Sequence, residues 1–175
     1  LVIGVTITLL YLYQVGYLVV GLFRRRWRDK YQPKALHRYA VLISARNEEG
    51  VIGELIGSLK RQNYPAELLD IYVVADNCTD DTAGAAQAAG ANVYRRFNHT
   101  EVGKGYALDY LLKQLEADGL AGRYEGYFIF DADNIVDPNF VSEMNRTFDR
   151  GNFDAVTSYR NSKNFGQNWI TAGYS

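Results

Sequence analysis

Between residues 39 and 159, short apolar runs alternate with longer stretches whose apolar residues return every three or four positions. That alternation restricts the fold more than any other feature of the chain. Tyr39-Ala40-Val41-Leu42-Ile43 is apolar on both faces of an extended chain, as in a strand buried inside a parallel sheet. Val51, Ile52, Leu55, Ile56 and Leu59 follow at helical spacing. Asp70–Ala75, Ala91–Tyr94, Tyr127–Phe130 and Asp154–Tyr159 read as four further strands. Between them, one helix starts near Asp80 with Thr79 as its N-cap and stops at Gly90. Another places Ala107, Leu108, Leu111, Leu112 and Leu115 on one face. A third opens at Asp137-Pro138, as a cap followed by proline in the first helical position, and runs to about Arg150. Strict alternation of this kind predicts an α/β fold, a mostly parallel sheet with helices on both faces.

In open sheets of this class, ligands sit at the carboxyl ends of the strands. The first strand ends in Ser44-Ala45-Arg46-Asn47-Glu48-Glu49, the second in Asp76-Asn77-Cys78-Thr79-Asp80-Asp81-Thr82, and the fourth in Asp131-Ala132-Asp133-Asn134. Carboxylates brought to one edge repel unless a cation or hydrogen-bond donors offset them. Asp131 and Asp133 flank a small residue directly after an apolar run, which lets hard oxygens reach a divalent cation whose remaining ligands come from a diphosphate. Asp80, Asp81 and Asp137 read as helix-start residues, and Glu49 as support for the helix that follows it. Nothing local requires an acid at Asp76, which could accept a hydrogen bond from a base or a ribose hydroxyl. Gly103-Lys104-Gly105 opens a helix, where close backbone approach, the helix N-terminus and the lysine charge suit an anion. The Walker pattern is not met.

Residues 1–23 carry no charge and are long enough, as a helix, for a hydrocarbon core. Arg24, Arg25, Arg26, Arg28, Lys30, Lys34 and Arg38 follow against Asp29 alone, with Trp27 among them. This pattern predicts a transmembrane helix over 1–23, a basic juxtamembrane linker over 24–38, and a domain over 39–175 that faces the cytoplasm from a cell membrane. The net charge of −1 overall means that the domain itself is acidic, which disfavours nucleic acid as a partner. The single cysteine, Cys78, excludes a disulfide within the chain.

Taken in order, Ile43 to Glu49, Val73 to Thr82, Gly103 to Leu108 and Phe130 to Asp133 resemble the membrane-bound family 2 glycosyltransferases, a set that includes synthases of hyaluronan, cellulose and poly-N-acetylglucosamine. The resemblance implies the GT-A fold, Rossmann-like, and inverting transfer of a sugar from a nucleotide donor, usually UDP-linked, to a glycan or lipid acceptor at the bilayer. It implies that Ala45 and Glu48 line the nucleoside pocket, that Asp76 contacts the base, and that Lys104 lies near the diphosphate. Asp131 and Asp133 would form the Asp-Xaa-Asp element, with Asp133 the direct ligand of Mg2+ or Mn2+. Two departures stand out. Ala75-Asp76-Asn77-Cys78 occupies the place of the usual Asp-Asp-Xaa-Ser. The family's Thr/Ser-Glu-Asp and Gln-Xaa-Xaa-Arg-Trp elements do not occur, so the catalytic base is expected beyond Ser175. Two other readings remain open: a membrane-tethered nucleotide-sugar binding module without catalysis, and a haloacid-dehalogenase-like phosphatase with Asp131 as nucleophile and Asp133 as acid.

Overall fold

The computed structural model describes residues 2–24, 31–151 and 153–158 of the 175. The chain divides into two compact units, residues 1–32 and 33–175.

The first unit is a single helix, α1 (Val2–Arg24). Its side chains are described at Gly4 and over residues 11–23, and all of these are exposed. Tyr13 and Tyr17, one turn apart, meet edge to face with ring centroids 5.8 Å apart. Among the described residues no helix is long and apolar enough to cross a membrane.

The second unit is built on four strands, β1 (Tyr39–Ala45), β2 (Leu69–Asp76), β3 (Asn92–Arg96) and β4 (Gly126–Asp131). They pair in parallel in the order β3-β2-β1-β4. The central position of β1 explains its uninterrupted apolar run, since both of its faces are covered. Val41, Ile43 and Ala45 point to one side, where they pack with Ile71 and Val73 against α2 (Ile52–Lys60) and α3 (Thr82–Ala88). Ala40 and Leu42 point to the other, where with Tyr72 and Val74 they meet Ala107, Leu111 and Leu115 of α4 (Lys104–Ala117). The last helix, α5 (Phe140–Arg150), brings Phe140 onto Phe128 and Phe130, so β4 is covered on the α2 side. Tyr127 and Ile129, on its opposite face, stay exposed.

Several boundaries differ from those expected. Asp154–Tyr159 does not form a fifth strand: residues 154–158 join no ladder, and Tyr159 lies outside the described residues. The third strand runs two residues further than expected, to Arg96, because pairing with β2 continues to Asp76. Helix α3 starts at Thr82, not near Asp80, and its cap is Asp81, whose carboxylate accepts from the Gly84 N–H. Thr79 instead donates its backbone N–H to Asn47 Oδ1. Helix α5 starts at Phe140, not Pro138. Asp137 does cap, but it caps the preceding turn, accepting from the Asn139 N–H at 2.8 Å. Gly90 ends α3 as expected, at φ +88°, with the Ala91 N–H closing back on the Ala86 carbonyl.

Candidate functional site

The period of two along each strand decides which side chains can meet at the carboxyl edge. On β1 the residue after Ala45 returns to the α4 face, and that residue is Arg46. In register with it, Asp76 on β2 and Arg96 on β3 fall on the same face, and so does Asp131 on β4, which pairs with Ser44 two residues earlier. The site is therefore a row of charged groups beside the N-terminus of α4. Asp76 and Asp131 end strands on either side of β1, two inter-strand spacings or about 10 Å apart.

Asp76 is buried and doubly paired. One carboxylate oxygen accepts from Arg96 Nη1 at 2.7 Å, the other from Arg46 Nη2 at 2.7 Å. The Arg46 Nε also donates to the Asp76 carbonyl at 3.1 Å. Arg96 is buried too, and its second nitrogen donates to the Glu101 carbonyl at 2.9 Å. It therefore ties the loop leading into α4 to the nucleus of the site. Its guanidinium lies 5.9 Å from the ring centre of Tyr110 on that helix. Neither arginine was picked out from the sequence. Arg96 lies beyond the expected end of its strand, and Arg46 sat in a segment read for its acids.

The loops after β1 and β2 are laced together. Asn47 and Asn77 both take φ near +50°, a conformation asparagine tolerates better than most residues. The Glu48 N–H donates to Thr82 Oγ1, the Glu49 N–H to Asp80 Oδ2, and the Asp81 N–H to Glu49 Oε2. Asp80 and Asp81 thus hold backbone at the start of α3, from before its first turn, and Glu49 holds the Asp81 N–H there instead of supporting the helix that follows it. The Asp80 carboxyl is held below its usual range, chiefly by the hydrogen bond from the Thr82 side chain. The Glu48 side chain is half-buried beside this lacing, and Ala45 is buried at the end of β1. The Cys78 thiol lies 3.5 Å from the Ala45 carbonyl.

On the other side of β1, Asp131 forms an ion pair with Lys104. Both are close to half exposed. Ala132 is buried in the core under α2, which requires a small residue there and sends Asp133 back out to solvent. Asn134 braces this turn: its Oδ1 accepts from the Asp131 N–H at 3.2 Å, and its Nδ2 donates to Asp133 at 3.3 Å. Lys104 opens α4 behind Gly103, whose φ of +133° strains any residue with a side chain. Among the described residues no side chain caps this helix, which leaves first-turn N–H groups for an anion. Among the described residues no three acidic, histidine or cysteine side chains converge on one point. The pair Asp131 and Asp133 nevertheless offers hard oxygens at an exposed turn. That suits an ion taking most of its shell from water and a diphosphate, as Mg2+ does.

A parallel sheet whose carboxyl edge carries a buried carboxylate on one side and an Asp-Xaa-Asp turn with a lysine on the other defines an α/β domain with a charged candidate site at the edge where such sheets take ligands. Known proteins narrow this. The profile of the family described as Glycosyl transferase family 2 matches residues 40–174, and the chain belongs to that family. Beta-monoglucosyldiacylglycerol synthase of Synechocystis sp. is 29% identical over 138 residues, covering 76% of this chain and 27% of that protein. Protein RfbJ of Shigella flexneri is 30% identical over 135 residues, covering 77% of this chain and 94% of that one. The chain thus spans about a quarter of the length of the synthase. Among solved structures, S. aureus TarS 1–349, also seen in complex with UDP, superposes with a TM-score of 0.52 at 23% identity, covering 65% of this chain and 32% of TarS. The mannosyltransferase PcManGT from Pyrobaculum calidifontis, in complex with GDP-Man and Mn2+, gives 0.53 at 21%, covering 82% and 42%. Both show the shared GT-A-like fold. Family membership replaces the phosphatase reading of Asp131 and Asp133.

Proposed function

We propose that this chain carries the donor half of a glycosyltransferase that moves a sugar, with inversion, from a nucleoside diphosphate to an acceptor hydroxyl. The observation that carries the reading is the layout of the sheet edge. Asp76 borders one end of a row about 10 Å long, with Glu48 in the adjoining loop and Ala45 buried on the opposite face of β1, and Lys104, Asp131 and Asp133 border the other. A nucleoside diphosphate fits such a row with its base beside β2 and its phosphates beside α4. There Lys104 and the uncapped N–H groups of α4 meet the phosphate oxygens. The UDP bound by TarS favours a uridine donor.

Asp133, with Asp131, would hold Mg2+ or Mn2+. When bound, such an ion stabilises the charge that grows on the departing nucleoside diphosphate. Lys104 pairs with Asp131, so donor binding shifts this lysine's charge from carboxylate to phosphate. The acceptor is a glycan or a lipid at a membrane. Support for that setting is the uncharged run over residues 1–23, helical from Val2, with the arginines directly behind it. In this reading the uncharged run and the basic stretch behind it hold the chain at a cell membrane, with the domain on the cytoplasmic side. A binding module without catalysis would use the same donor site.

Calorimetric titration of the chain with UDP, with and without Mn2+, tests the donor site. Metal-dependent binding in the wild type that disappears in Asp133→Ala is the expected result. Binding indifferent to both the ion and the substitution would overturn the metal assignment.

A further inference from the structure

Resting on the donor-site reading, we propose that Arg46 reads the nucleobase, with Asp76 acting behind it as the residue that aims the guanidinium. Asp76 ends β2 where a base would lie, yet its side chain is only 4% exposed and both oxygens are occupied, by Arg96 and by Arg46. The Arg46 side chain is 43% exposed. A ligand arriving at the carboxyl edge therefore meets the guanidinium before the carboxylate.

Two of the three Arg46 nitrogens are fixed on Asp76: Nε on its carbonyl, Nη2 on its carboxylate. Among the described residues Nη1 has no partner. Two fixed donors orient the planar group, and the third nitrogen of this exposed side chain is left with donors for a ligand at the carboxyl edge. Arg96 supports the arrangement from beneath. It occupies the other Asp76 oxygen and so keeps that carboxylate from turning.

The chemistry of such a donor sets the preference. Uracil and guanine present a carbonyl oxygen, O4 or O6, at the edge where cytosine and adenine present an amino group. An arginine N–H bonds the first pair and faces N–H against N–H in the second. The site is therefore selective for nucleoside diphosphates of keto bases. An aspartate reader would behave differently, since a carboxylate accepts from amino groups as readily as from a ring N–H.

The test is competitive titration of the chain with UDP, GDP, CDP and ADP in the presence of Mn2+, on the wild type, Arg46→Met and Arg46→Lys. UDP or GDP should bind at least tenfold more tightly than CDP and ADP. Arg46→Met should weaken the keto nucleotides about tenfold, leave CDP and ADP where they are, and keep the urea unfolding midpoint. Arg46→Lys keeps the charge without the fork and should recover little of the preference. An Arg46→Met variant that keeps both affinity and preference would overturn the assignment and return the base contact to Asp76 or the backbone. So would a wild type that binds all four equally. Failure of the wild type to bind any of the four would overturn the donor-site reading itself, and the role of Arg46 with it.

Discussion

Strand β1 enters a polar cluster at each end, and the two clusters are finished differently. At its amino end the cluster closes on itself. Asn145 of α5 is fully buried, and its Oδ1 accepts from the Tyr39 hydroxyl at 3.0 Å and the His37 N–H at 3.1 Å. The Tyr64 hydroxyl is shared between that same oxygen and the His37 carbonyl. The Asn145 Nδ2 donates to the Ala35 carbonyl, and His37 lies between Glu125 and Asp149. At the carboxyl end Asp76, Arg96 and Thr82 are sealed. Arg46, Lys104 and Asp133 stand over them exposed to solvent, and Asp131, paired with Lys104, is close to half exposed. Both clusters are charged, so charge alone does not mark a site. What distinguishes the carboxyl end is bonding capacity left over once the protein has used its own.

The comparison is broken most directly by substituting the buried member of the open end. Arg96→Met leaves Asp76 with Arg46 and the Asn77 amide and frees the loop held at Glu101. Loss of a buried charge partner should lower the unfolding free energy by about 3 kcal/mol. A urea titration checks this. An unchanged midpoint would mean that the site end contains no structural layer at all. Next comes the closed end. Asn145→Leu leaves the Tyr39 hydroxyl and the His37 N–H without their acceptor in a dry place. The expected cost is about 2 kcal/mol, with UDP affinity unchanged. A loss of nucleotide binding larger than the loss of stability would contradict the division of labour between the two ends.

Lys104→Ala should behave in the opposite sense. Its pair with Asp131 is close to half exposed, and exposed pairs contribute at most about 1 kcal/mol. The unfolding midpoint should barely move. Affinity for UDP should fall about tenfold, which corresponds to about 1.4 kcal/mol. Equal losses in both measurements would place Lys104 among the structural groups.

How much of this is legible in the sequence follows from the range of each interaction. The strands are legible because burial on both faces writes an uninterrupted apolar run, as at Val41-Leu42-Ile43. Acids at strand ends are legible because nothing in a buried sheet calls for them. Partners are not legible, because they depend on register between strands far apart in the chain. Nothing near Asp76 in sequence says that Arg96 lies directly across from it. Helix starts were misplaced where caps come in succession: Thr79, Asp80 and Asp81 can each open a helix, and only the lacing to Asn47 and Glu49 decides. The expected strand at 154–159 failed for a related reason. A run of strand formers forms a strand only with a partner in register.

The smallest effect separates the two ends by pH. Burial lowers the proton affinity of His37, but its hydrogen bonds to Glu125 and Asp149, with the charges of both, outweigh this and raise it above the ordinary histidine value. The raised value lies in the folded state, so the stabilisation is fully present below the unfolded pKa of about 6.5 and is lost as pH rises through the folded one. Glu125 moves the other way, lowered chiefly by the hydrogen bond from His37, so its share is lost only in acid. The urea midpoint should therefore fall modestly between pH 6 and pH 8.5, and His37→Gln should flatten that slope while lowering the midpoint at pH 6. UDP affinity in the variant should keep the pH profile of the wild type, because the groups that face the nucleotide lie at the other end of β1. A slope unaltered by His37→Gln would move the titrating group elsewhere. A changed nucleotide profile would show that β1 transmits strain between its ends and that the two clusters are not independent.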